Sequence, residues 1–155
     1  MAVFTAAEAI EMAMEIEKNG EVFYNGVAAK SADSEVRALF EDLATQEQGH
    51  YRVFQKMLKG VKPAPELPAA EYEEYKAYVQ TALDSALFAG PDKALALAEQ
   101  AQDRETALRV ALGFEKDTLL FFYDLREMVS EVDREAISGI IREEKTHLRR
   151  LAKML

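Results

Sequence analysis

The two ends of this 155-residue chain carry the same pattern twice. Moving the sequence by 98 positions lays Ala9, Ala13, Glu17, Lys18 and Phe23 on Ala107, Ala111, Glu115, Lys116 and Phe121. Moving it by 97 lays Arg37, Glu47, His50, Arg52, Lys56, Met57 and Leu58 on Arg134, Glu144, His147, Arg149, Lys153, Met154 and Leu155. The one-residue change falls where two paired helices would turn, a place that tolerates insertion. The chain therefore reads as two helical hairpins of one design, joined by a long middle section. Two up-down pairs joined by a long crossover make an antiparallel four-helix bundle, so the expected fold class is all-α, with extra short helices in the crossover.

Local signals divide the chain accordingly. Thr5-Ala-Ala-Glu8 has the form of a capping box and opens a helix to about Lys30. Asp33 or Ser34 caps a second, which reaches about Lys59 before Gly60 ends it. Residues 61–68, VKPAPELP, read as an extended connection. A tyrosine-rich amphipathic segment follows and stops at Gly90-Pro91, and Asp92 caps a short helix to about Gln102. The third long helix is expected from about Asp103 to Val129, and the fourth from about Val132 to the end.

Composition narrows the chemistry. The length suits one domain spanning residues 1–155, and the scarcity of Gly and Pro favours helix. There is no cysteine, which excludes disulfides, thiolate zinc sites, iron–sulfur clusters and cysteine nucleophiles. A net charge of −9 makes nucleic acid and anionic membranes poor partners. The first twenty residues hold no apolar run of signal or membrane-helix length, so a cytoplasmic location is expected.

Both histidines of the chain stand three residues after a glutamate, in Glu47-Gln-Gly-His50 and Glu144-Lys-Thr-His147. On a helix, residues i and i+3 share a face, so one carboxylate and one imidazole can meet the same ion. A single pair of this kind is ordinarily a surface salt bridge. Here each lies within an apolar stripe: Val36, Phe40, Leu43, Phe54 and Met57 around the first, Ile137, Ile140, Leu151 and Met154 around the second. Glu17 lies among Ile10, Ala13, Met14 and Tyr24, and Glu115 among Leu108, Leu112, Leu119 and Phe122. Six polar groups thus point into the expected core, all near mid-helix.

Unpaired buried carboxylates are very unfavourable. Two divalent cations would neutralise four of them, with neutral imidazoles completing the shells. Carboxylate and imidazole without thiolate suit iron or manganese better than zinc. One glutamate from each of two helices, with Glu-x-x-His from each of the others, is the di-iron carboxylate pattern. Tyr24 and Tyr123, seven and eight residues after Glu17 and Glu115, are candidates to hydrogen-bond ligands or relay electrons. Glu21, one turn after Glu17, is expected at the edge of the site. Gly20, Gly49, Gly113 and Gly139, inside the long helices, suggest close helix approach, while Lys18 and Lys116 should face solvent.

These residues, with Glu17-Lys-Asn-Gly-Glu-Val-Phe-Tyr24 and Glu115-Lys-Asp-Thr-Leu-Leu-Phe-Phe-Tyr123, make a chain that resembles the rubrerythrin branch of the ferritin-like superfamily over nearly its whole length. The resemblance implies a ferritin-like bundle in which Glu17, Glu47, His50, Glu115, Glu144 and His147 bind two iron ions, with Glu47 and Glu144 as bridges. Manganese or zinc are possible substitutes. It implies an oxidoreductase that reduces hydrogen peroxide or dioxygen, with Tyr24 and Tyr123 near the site. A homodimer is the expected assembly. Two departures stand out. The family's cysteine-ligated rubredoxin domain has no counterpart in a chain without cysteine, so electrons would come from a separate donor such as a rubredoxin. Thr118 stands where rubrerythrins have a further glutamate, the position from which redox-linked ligand switching would operate. The rival expectations are a ferroxidase or iron-handling protein, and a non-enzymatic helical module with a structural metal. Tyr72, Tyr75, Tyr78 and Phe88 are candidates for a dimer surface under any of them, and equally for an exposed patch or a lid on the bundle.

Overall fold

A computed structural model describes residues 5–61, 70, 71, 73, 74, 77, 81, 89–101 and 103–155 of the chain. Four long helices dominate it: α1 (Ala6–Lys30), α2 (Ser34–Gly60), α4 (Arg104–Met128) and α5 (Glu131–Met154), with the shorter α3 (Pro91–Gln100) between the pairs. Among the described residues there is no strand, and no helix is long and apolar enough to cross a membrane. Most of the tyrosine-rich segment, including Tyr72, Tyr75, Tyr78 and Phe88, lies outside the described residues, as do residues 62–68 of the expected extended connection.

Each long helix begins where a side chain satisfies backbone N–H groups that have no partner within the helix. At α1 the capping box is complete: Thr5 Oγ1 accepts from Glu8 N at 3.2 Å, and Glu8 Oε2 accepts from Thr5 N at 2.7 Å. Asp33 caps α2 through Glu35 N and Val36 N, Asp103 caps α4 through Thr106 N, and Ser130 caps α5 through Asp133 N. Two expected boundaries are corrected. Gly60 is itself the last residue of α2, one beyond the expected Lys59, and Val61 occupies the cap position. The short helix α3 is preceded by Gly90, not capped by Asp92, because Pro91 suits the first helical position, where a missing N–H costs nothing. Gly90 itself has φ +119°, a conformation that a side chain would strain.

Three residues join α1 to α2 and two join α4 to α5, so each pair must run antiparallel. The hairpins meet along Phe54 of α2 and Phe122 of α4, whose ring centroids are 5.2 Å apart, with Ile10, Phe40, Leu108, Leu125, Ile137 and Leu151 also fully buried. Each such side chain contributes roughly 1.5–3 kcal/mol relative to exposure. One end of the bundle is tied by Arg104, which bonds Asp33 at 2.7 Å and the Met154 carbonyl at 3.1 Å.

The internal glycines divide into two kinds. A Cβ on Gly20 would lie 2.8 Å from Phe114 Cε1, so close approach explains that glycine. Gly49 and Gly113 have nothing within 4 Å, contrary to the expectation that close helix approach accounts for them. The second tight approach is instead at Gly26, whose added Cβ would come within 2.7 Å of Ala98 Cβ. That contact seats α3 against α1.

Candidate metal centre

Glu17, Glu47, Glu115 and Glu144 are all 0 % exposed, and His50 and His147 are buried with them. One glutamate comes from α1 and one from α4, while α2 and α5 each supply a glutamate and a histidine three residues apart. The apolar stripes carry these groups inward because the helical period keeps them in phase with the core residues. Lys18 and Lys116, one residue on from Glu17 and Glu115, face solvent.

The six groups form two overlapping sets of four. Glu17, Glu47, His50 and Glu144 make one, and Glu47, Glu115, Glu144 and His147 the other, each with ligand atoms within 4.8 Å of one another. Glu47 and Glu144 belong to both. His50 Nδ1 lies 2.8 Å from Glu144 Oε1 and 3.5 Å from Glu17 Oε2. His147 Nδ1 lies 2.8 Å from Glu144 Oε2, 3.4 Å from Glu115 and 3.6 Å from Glu47. Glu144 therefore spans the two imidazoles, which stack with centroids 5.7 Å apart.

The outer face of each ring is fixed by a residue that local sequence reasoning passed over. His50 Nε2 lies 2.6 Å from Glu143 Oε2, and His147 Nε2 lies 2.7 Å from Gln46 Oε1. With Nε2–H donated outward, Nδ1 of each ring faces the cluster, where it bonds Glu144 when protonated and offers a lone pair once that proton leaves. The available signal was positional: Gln46 and Glu143 are related by the 97-residue repeat, each directly before a glutamate of the cluster.

Tyr24 reaches across from α1 and donates its hydroxyl to Glu115 Oε1. Tyr123 is placed elsewhere. It is half-buried under two cations, with the Arg126 guanidinium 5.1 Å and the Lys145 ammonium 5.3 Å from its ring centroid. Glu21 sits at the margin, bonded to Lys18 and Gln48, outside both sets of four. Thr118 is fully buried, and its hydroxyl has no partner.

Apart from that hydroxyl, nine N and O atoms of the six clustered side chains are buried with no polar neighbours but one another, and both Glu47 oxygens and Glu115 Oε2 among them accept no hydrogen bond. A buried group left so costs about 1–3 kcal/mol, and more when it is charged. Titration responds accordingly. Burial, with the charge of Glu144 next, raises Glu17 and Glu47 well above the carboxylate range, and the same causes push Glu115 up to about 8. Burial works against charge on Glu144 as well, but the two imidazoles beside it prevail and hold it well below that range. Burial also opposes charge on the imidazoles, yet the carboxylates around them push both up to about 10. The cluster thus balances itself with protons. Its donor set, four carboxylates and two inward-facing imidazoles, fits hard or borderline divalent cations, which would take the place of those protons.

The sequence profile of the rubrerythrin family matches residues 8–155. The chain belongs to the rubrerythrin family. A crystal structure of a ferritin-like diiron-carboxylate protein from Thermotoga maritima superposes with a TM-score of 0.69 at 21% identity, covering 99% of this chain and 96% of that one. At that identity the likeness establishes the fold, which is a ferritin-like helical bundle. No curated protein matches the chain.

Proposed function

We propose that this chain holds two iron ions and reduces hydrogen peroxide or dioxygen with electrons from a separate donor protein such as a rubredoxin. The observation that carries the reading is the pair of overlapping four-residue sets sharing Glu47 and Glu144. Two shared carboxylates and two private ligands on each side suit a pair of ions held close together. The chemistry of the donor set favours iron or manganese over zinc, and the solved relative is named a diiron-carboxylate protein.

Two ferrous ions would supply the two electrons that, with two protons, convert one peroxide to two waters. The chain's own residues do the rest. Glu17, Glu47, His50, Glu115, Glu144 and His147 hold the pair in a fixed geometry. Phe40 and Phe114 pack edge-on against Tyr24, at 5.3 and 6.2 Å between centroids, and keep bulk water from that side. Burial and then the Glu115 carboxylate keep the Tyr24 phenol protonated, so its hydroxyl holds a proton at Glu115 Oε1.

The test is anaerobic loading with Fe(II) followed by peroxide. Two Fe(II) should be oxidised per peroxide, faster than free Fe(II) at the same concentration. A rate equal to that of the free ion would end this reading.

A further inference from the structure

The repeat makes the cluster nearly symmetric, and it breaks at two places that matter. The 97-residue shift pairs Gln46 with Glu143, and each bonds the outward nitrogen of the other hairpin's imidazole. His50 therefore donates to a carboxylate, while His147 donates to a carboxamide. A charge-assisted bond is roughly twice as strong as a neutral one and makes the ring a better donor towards a cation at its other nitrogen. The 98-residue shift pairs Tyr24 with Phe122. Tyr24 donates to Glu115 and draws electron density from that carboxylate. Phe122 has no hydroxyl to do the same to Glu17, whose oxygens receive no hydroxyl hydrogen bond and face only other members of the cluster, His50 Nδ1 at 3.5 Å among them. Both breaks act in the same sense.

We infer that the two metal positions are unequal by construction. The one bounded by Glu17, Glu47, His50 and Glu144 binds a divalent cation more tightly than the one bounded by Glu47, Glu115, Glu144 and His147, and Glu143 and Gln46 are the positioning residues that set the difference. The inference rests on the metal reading above and adds to it the order of filling.

Cobalt(II) is the probe, since it is spectroscopically visible and inert to the oxidation that complicates iron. Titrating the metal-free full chain by calorimetry and visible absorption should give two steps separated tenfold or more, the usual scale of losses at such outer partners. Glu143→Gln keeps an acceptor oxygen but removes its charge. It should weaken the tighter step roughly tenfold and leave the weaker step in place. Gln46→Glu should strengthen the weaker step instead. His50→Gln should abolish the first-equivalent spectrum, which His147→Gln should retain. Metal-free Glu143→Gln should keep the helical circular-dichroism spectrum and a single cooperative unfolding transition, separating donor tuning from loss of fold. Two equal steps in the parent chain, or equal weakening of both steps by Glu143→Gln, would overturn the inference while leaving the metal reading intact. No cobalt uptake at all would overturn both.

Discussion

The Tyr24 hydroxyl on α1 donates to Glu115 Oε1 on α4, so a residue of one hairpin completes a carboxylate of the other. Replacing Tyr24 by Phe keeps the ring and its packing against Phe40 and Phe114, but strands a buried acceptor. Metal-free Tyr24→Phe is expected to lose about 1–3 kcal/mol by urea unfolding. The loss should shrink in the metal-loaded protein, where a cation compensates Glu115. Tyr123→Phe, on the half-buried face beneath Arg126 and Lys145, should change neither state by more than about 0.5 kcal/mol.

Glu144 and Glu47 lie in both sets of four, while Glu17 and Glu115 lie in one each. Elemental analysis of purified variants should reflect that difference. Glu144→Ala should lose both ions, and Glu17→Ala about one of two. Lys116→Ala should lose none, since that side chain faces solvent. Comparable losses from Glu144→Ala and Lys116→Ala would contradict the assignment.

Proton balance gives the metal-free protein a characteristic pH dependence. Glu115 is raised from 4.5 to about 8, and His50 and His147 from 6.5 to about 10, so the folded chain binds more protons than the unfolded one between these limits. Stability from such groups is complete below the unfolded pKa and disappears as pH climbs through the folded value. The melting temperature of the metal-free protein should therefore fall from pH 6 to pH 9. Metal uptake should rise over the same range. A pH-stat near neutrality should record the release of up to five protons as the pair binds, one each from Glu17, Glu47, Glu115, His50 and His147. A flat melting profile would contradict it.

Two glycines should respond to alanine with opposite sign. At Gly20 the new methyl would sit 2.8 Å from the Phe114 ring and 3.4 Å from Glu47 Cδ, so the ring that packs on Tyr24 must shift. We expect Gly20→Ala to cost about 1–3 kcal/mol and to lower metal affinity. Gly113→Ala meets nothing within 4 Å and should gain up to about 1 kcal/mol from helix propensity. Denaturant midpoints of the two variants decide the matter.

The six clustered side chains were legible because each signal was local or repeated. Glu-x-x-His is an i, i+3 pattern, and the duplication located Glu17 and Glu115 without any knowledge of packing. Tyr24 and Tyr123 separate on helical phase. Seven residues return almost to the starting face, whereas eight rotate about 80° past it, which carries Tyr123 out towards Arg126. Gln46 and Glu143 were not legible locally, since their partners lie 101 and 93 residues away in sequence. The approach of Gly26 to Ala98 is hidden for the same reason, and nothing in the sequence around Gly113 distinguishes it from Gly20.

The exchange of partners between hairpins means that neither half of the molecule holds the whole cluster. A chain severed between α2 and α3 would yield two fragments. The α1–α2 fragment keeps two of the carboxylates and one imidazole, robbed of its outer acceptor, and the other fragment likewise keeps Glu115, Glu144 and a His147 without Gln46. Reassembly would restore both acceptors at once, and bound cations would be shared property of the two pieces. Metal would then act as a reversible cross-link, making recombination of the fragments tighter in its presence and weaker under chelation.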